Sequence, residues 1–188
     1  MVPRKDGWEL IQAALDGKIH DVADLLSRGF DIHARSPDGG TALHNSAKSG
    51  YMDVTRLLLA NGAGVNDRDV DLWTPLHFAA SRNHIEIARF LIEKGADVNA
   101  KTAQNSTPLH FAATWAGPSM VRCLLELGAD PEIKNDRGQL ASDKAVIADQ
   151  ADVLKVIEDF RNERARQARA LFEQRLNRIP KGRRPPRP

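Results

Sequence analysis

The chain has 188 residues, of which 41% are hydrophobic, 28% charged and 5% aromatic, the balance of a helical protein of about one to two domains with a well-solvated surface. Its single cysteine, Cys123, excludes an intramolecular disulfide and a cysteine-rich zinc site, and no run approaches the ~18 apolar residues of a membrane span. The formal charge of +2 hides a division: residues 161–188 carry ten Lys/Arg against Glu163 and Glu173, which leaves a net −6 on residues 1–160.

Residues 1–6 read as a polar N-terminal tail that leads into no apolar run, so no secretory signal is expected. Cysteine usage points to a reducing compartment, cytoplasmic and possible for the nucleus. From residue 7 the chain becomes periodic. Thr41-Ala42-Leu43-His44, Thr74-Pro75-Leu76-His77 and Thr107-Pro108-Leu109-His110 stand 33 residues apart. Asn61-Gly62-Ala63, Lys94-Gly95-Ala96 and Leu127-Gly128-Ala129 follow in the same register. In each unit the Thr is placed to cap a first helix, with Pro at its first turn in two of them. Small residues such as Ala79-Ala80 and Ala112-Ala113 allow close packing of that helix. A second helix carries an apolar stripe at i, i+3 and i+4: Val54, Leu57 and Leu58; Ile87, Phe90 and Leu91; Met120, Cys123 and Leu124. Gly62, Gly95 and Gly128 end it.

A repeat at this period with this core resembles the ankyrin repeat. The resemblance implies an all-α solenoid of helix-turn-helix units joined by β-hairpin loops, with a basic C-terminal helix appended. Five units are expected within 7–160, at about 7–35, 36–68, 69–101, 102–134 and 135–160. The first, with Trp8-Glu9-Leu10-Ile11 in place of T-P-L-H, and the last, with Asp143 where the His stood, are degenerate, as end units with one unpartnered face should be. Residues 161–179 read as a basic helical extension. From Pro180 the chain, with Lys181, Arg183, Arg184 and Arg187, is expected to be extended, disordered and Pro-rich.

No residue pattern supports chemistry. His44, His77 and His110 recur with the repeat, and the resemblance assigns them, with Thr41, Thr74 and Thr107, to structure. There is no H-E-x-x-H, no Cys/His cluster and no phosphate loop, so neither catalysis, metal nor cofactor is expected. Binding has candidates, because ankyrin partners are usually held by hairpin tips and the inner helix face. The matching positions include Asp38, Val70, Asp71, Trp73 and Gln104 at the tips, and Lys48, Arg82 and Trp115 at the helix ends. Two roles compete for Trp73 and Trp115: anchors of an interface, or packing on their own repeat. They lie about 13 Å apart along a helix axis and one repeat apart, so spacing alone does not put them in one pocket. Arg35, Arg68, Lys101 and Lys134, also 33 apart, should line one rim, for a partner or merely for solubility. Leu72 and Asn105 replace the usual turn glycine, which predicts less regular tips there.

The functional expectation is a non-enzymatic interaction module or adaptor, monomeric by itself, binding a protein partner on its concave surface. Two alternatives stand beside it. The basic tail could bind nucleic acid or an anionic membrane while the repeats recruit a client, or the chain could regulate an enzyme on another polypeptide.

Overall fold

The computed structural model describes residues 7–178. They form helices α1 (Trp8–Leu15), α2 (Ile19–Ser27), α3 (Ala42–Ser49), α4 (Met52–Ala60), α5 (Pro75–Ser81), α6 (Ile85–Glu93), α7 (Pro108–Trp115), α8 (Pro118–Glu126), α9 (Ala141–Ile147) and α10 (Ala151–Asn177). Odd-numbered helices stack on one another as an inner layer, α1 through α9. Even-numbered helices do the same outside, with α10 closing on α8. This is the all-α ankyrin solenoid that the repeat predicts.

Why two thin layers hold together follows from the repeat's small and large residues. Ala14, Ala47, Ala79, Ala80, Ala112 and Ala113 are fully buried, and their lack of bulk lets inner helices approach. Leu58, Leu91 and Leu124, also fully buried, fill the space between layers. Helices of seven or eight residues such as α5 and α7 are too short to survive alone in water, so their stability comes from this packing and from their caps.

The caps also join the repeats. Thr41 N–H donates to His44 Nδ1 at 3.1 Å, which fixes the ring proton on Nε2. That Nε2–H donates across to the Trp73 carbonyl of the next unit at 3.1 Å. His77 reaches the Ser106 carbonyl at 3.3 Å, and His110 that of Gln139 at 3.1 Å, in the same way. A second ladder runs through the outer edge. Asn66 donates to the Gly95 carbonyl and accepts from Asp97 N–H, both at 2.9 Å. Asn99 repeats the pair with Gly128 and Asp130.

The connecting tips are hairpin-like turns; no strand is formed among the described residues. Each is closed by a bond from its first residue, Ser36 N–H to Gly40 O, Asp69 to Trp73, Thr102 to Ser106 and Asn135 to Gln139, at 2.9–3.0 Å. A return bond runs from Gly39, Leu72, Asn105 and Gly138 N–H to those same first residues' carbonyls at 2.8–3.1 Å. Neighbouring tips are also tied: Val70 N–H to Asp38 O, Ala103 to Asp71 and Asp136 to Gln104, at 2.9–3.1 Å. Leu72 (φ 61) and Asn105 (φ 56) take the left-handed backbone that Gly39 (φ 79) and Gly138 (φ 71) take in the other tips. The expectation of less regular tips is therefore corrected. Tip-to-tip bonding imposes one geometry, and Leu72 accepts the strain.

Past Phe160 the architecture changes. Residues 162–175 of α10 are exposed throughout, including Leu171 and Phe172 at 60% and 50%. Arg161 makes the last tie to the solenoid, donating from Nε to Glu132 at 2.6 Å and from Nη2 to the Pro131 carbonyl at 3.2 Å. The remaining helix extends about 25 Å beyond it at 1.5 Å per residue. Lys181, Arg183, Arg184 and Arg187, like residues 1–6 and Pro180, lie outside the described residues.

Candidate functional site: an aromatic groove on the inner face

The inner helices begin just behind the tips, and along their exposed face four aromatic rings form a chain. Trp73 enters from the tip before α5 and lies 4.9 Å from Phe78 and 4.2 Å from Phe111, centroid to centroid. Phe111 in turn stacks on Trp115 at 5.5 Å with an interplanar angle of 19°. His44 meets Phe78 edge-on at 5.9 Å, so the chain is footed on the inter-repeat histidines. Offset and tilted contacts of this kind contribute about 0.5–1.5 kcal/mol per pair beyond area burial and hold each ring's orientation.

The two roles weighed for the tryptophans divide between them. Trp73 is half buried and packs on two repeats at once. Trp115 is 60% exposed with only one face covered. Both nevertheless line one open groove of about 480 Å³ together with Lys48, Phe78, Ser81 and Arg82. Phe78 and Phe111, which join them, were not among the sequence candidates. The signal was present: Phe follows the motif His in two successive units, where Asn45 stands in the unit before.

The other candidates fall into three groups. Lys48 and Arg82 stand in the groove; the Lys48 ammonium sits 5.6 Å over the Phe78 ring, a cation–π contact. Asp38, Val70, Asp71 and Gln104 are exposed at the tips, with their backbones spent on the tip-to-tip bonds. The Asp38 carboxyl is held below its ordinary range, first by the Ser36 hydroxyl and also by the Gly40 N–H. Arg35, Arg68, Lys101 and Lys134 are all exposed along one rim. Arg35 bonds the Arg68 carbonyl at 2.6 Å and pairs with Asp67 at 3.6 Å, while Arg68 reaches the Lys101 carbonyl at 3.5 Å. Half of that column thus ties one unit to the next.

The titratable groups of the interior are occupied with the fold. His77 is pushed down to about 4 by burial, and burial lowers His44 and His110 as well. All six Thr and His residues of the repeat motif are buried in the caps. Cys123 is buried, and burial raises its thiol. Among the described residues no group of His, Cys, Asp and Glu is arranged to hold a metal ion. Among them, too, no helix is long and apolar enough to cross a membrane.

Stacked units with an open inner face and bonded tips define a repeat scaffold. Its family is shown by comparison. The ankyrin-repeat model of three copies matches residues 10–102, and a second, of many copies, matches residues 80–125. Two ankyrin repeat proteins of Rickettsia felis are each 46% identical over 51 residues, which is 27% of this chain and 81% and 77% of theirs. The chain belongs to the ankyrin-repeat family, whose repeats are in general protein–protein interaction modules.

Proposed function

We propose that this chain is an adaptor without chemistry of its own, which holds a protein partner on the concave groove of Lys48, Trp73, Phe78, Ser81, Arg82 and Trp115. The observation that carries this reading is Trp115. A large aromatic exposed over 60% of its surface, with its other face stacked on Phe111, is already oriented for contact. Such a ring offers apolar area at little entropic cost, the property of interface anchors. The tip residues Asp38, Val70, Asp71 and Gln104, and the exposed Lys101 and Lys134, are read as the polar rim around that anchor. Residues 7–160 form the binding domain in this reading, with 161–179 and 180–188 as extension and tail. The cytoplasm or nucleus is the proposed setting, and an enzyme on another chain is one kind of partner it admits.

A second reading adds a contact for the extension. Arg164, Arg166, Arg169 and Arg175 stand exposed on α10 beside Leu171 and Phe172, which supports binding of an anionic surface or nucleic acid while the repeats hold the client.

Proximity labelling by the full chain, compared with Trp115→Ala, tests the main reading. Partners should be lost from the variant while its circular dichroism is unchanged. A purified partner should bind about 2 kcal/mol more weakly, the scale of a hot spot. An undiminished set of partners would refute the groove.

A further inference from the structure

We infer that the segment docking in this groove is an extended peptide that presents a carboxylate side chain beside an apolar or aromatic anchor; the inference rests on the concave face being the binding face. The charges around the groove carry it. Lys48 and Arg82 supply its cations, and no carboxylate lines it. Among the described residues, ion pairs form at Lys18–Asp16, Arg28–Asp24, Arg35–Asp67 and Arg161–Glu132, and neither groove cation takes part in one. The Lys48 ammonium lies over the Phe78 ring, and among the described residues neither side chain donates a hydrogen bond, so both stay open to an incoming acceptor. A carboxylate there would receive charge-assisted hydrogen bonds on a partly dry surface, where they are stronger than in bulk water.

The acidic groups, Asp38, Asp69 and Asp71, belong to the tips, and the Asp38 carboxyl feels the Lys48 charge as a minor cause of its lowering. Two of their carboxylates are already directed at backbone. That of Asp38 accepts from Gly40 N–H, and that of Asp69 from Asp71 and Trp73 N–H. The charge is therefore divided, positive at the helix ends and negative at the tips. A partner's carboxylate belongs at the Lys48 and Arg82 edge, its apolar anchor on the Phe111–Trp115 stack beside it. A polyanion suits this face poorly: it would meet the tip aspartates and a body of net −6 over residues 1–160.

There is a plainer account of the two cations. Lys48 lies in the last turn of α3 and Arg82 caps α5, where a positive charge offsets the helix dipole. That account does not explain the place one repeat on from Arg82. There the equivalent position holds Trp115, so that two cations and an exposed indole follow one another along the same edge.

The test is selection of peptides from a random displayed library by the full chain. Binding of synthetic versions is then measured by fluorescence anisotropy. Selected peptides should carry Asp or Glu next to an aromatic or aliphatic residue, and Glu→Gln in the peptide should weaken binding about tenfold, as loss of a charged hydrogen bond does. Lys48→Glu with Arg82→Glu should reverse the preference toward Lys-bearing peptides. Both side chains are exposed, so the variant should keep its circular dichroism. Binding that needs Trp115 but ignores peptide charge would overturn the carboxylate and leave the concave reading standing. Binding indifferent to Trp115→Ala, or a preference for an oligonucleotide competitor, would overturn both. A library that yields no enriched peptide would overturn the inference.

Discussion

The central repeats and the outer half of α10 are both helical, yet they owe that state to different causes. Inside the solenoid, helices of seven to nine residues are buried on one side, and the inner ones of the central repeats are capped at the start by the Thr–His box. Residues 162–175 have no such support, and every one of them is exposed. What they have is length and composition: α10 runs 27 residues, rich in Ala, Arg, Glu and Gln, the better helix formers. Gln167 also bonds Glu163 one turn back at 3.2 Å. The first kind of helix depends on its neighbours, the second on itself, and substitutions should separate them.

The largest effect is expected in the repeats. Leu91 is fully buried between layers, and Leu91→Ala should cost about 2–5 kcal/mol, through lost burial and the cavity left behind. Leu171→Ala on the free helix should change urea unfolding by less than about 0.5 kcal/mol, as surface changes do. Equal losses in the two variants would abolish the distinction.

Acid should act on the same side of the comparison. His77 titrates near 4 in the folded chain and near 6.5 when unfolded. Between those values the unfolded chain binds a proton that the folded one refuses, because protonation would put charge in the core and oblige Nδ1 to stop accepting from Thr74. Stability is therefore complete above about pH 6.5 and declines as pH falls toward 4, by up to about 3 kcal/mol from His77. His44 and His110 are lowered too and act in the same direction. Residues 161–178 contain no histidine, so helical signal lost in this window must come from the repeats. A urea midpoint equal at pH 7 and pH 5 would contradict the buried, neutral ladder.

A smaller effect, of opposite sign, belongs to the tips. Leu72 holds φ 61, a conformation costly for a residue with a Cβ, and its side chain is partly exposed. Leu72→Gly should stabilise the chain by about 1 kcal/mol, strain relief exceeding the entropy cost of glycine. Gly39→Ala should do the reverse, since its Cβ would come within 2.9 Å of the Val70 nitrogen. A destabilised Leu72→Gly would mean that the exposed leucine contributes packing that its surroundings conceal.

Much of this was legible because 33-residue spacing is a covalent fact that stacking turns directly into neighbourhood. Capping threonines, buried histidines and the second-helix stripe all follow from phase. The aromatic groove was legible only in part. Trp73 and Trp115 were visible as candidates, but their union depends on Phe78 and Phe111 leaning across the repeat boundary, a matter of rotamer and lateral distance. The same holds for Arg35 and Arg68. Spacing put them in one column, while the reach of a guanidinium to the next unit's carbonyl is a three-dimensional property. The regular tip at Leu72 was misjudged because local propensity disfavours it, and the bonds that overrule propensity come from the adjoining tip.

The smallest expected effect lies at the border between the two regions. Arg161 pairs with Glu132 and the Pro131 carbonyl and is the last residue of α10 tied to the solenoid. Glu132 is mostly exposed while Arg161 is half buried, so water still screens the pair and part of its attraction is offset by the entropy of holding two long side chains still. Arg161→Ala should therefore cost less than about 1 kcal/mol at low salt, and still less near 1 M, where charges are screened within about 3 Å. Ending the chain after Arg161 should leave the urea midpoint close to that of the intact protein while removing a large share of the far-ultraviolet helix signal. That combination requires the outer helix to be an independent unit. A midpoint lowered as far as by Leu91→Ala would instead make the extension part of the solenoid's cooperative fold.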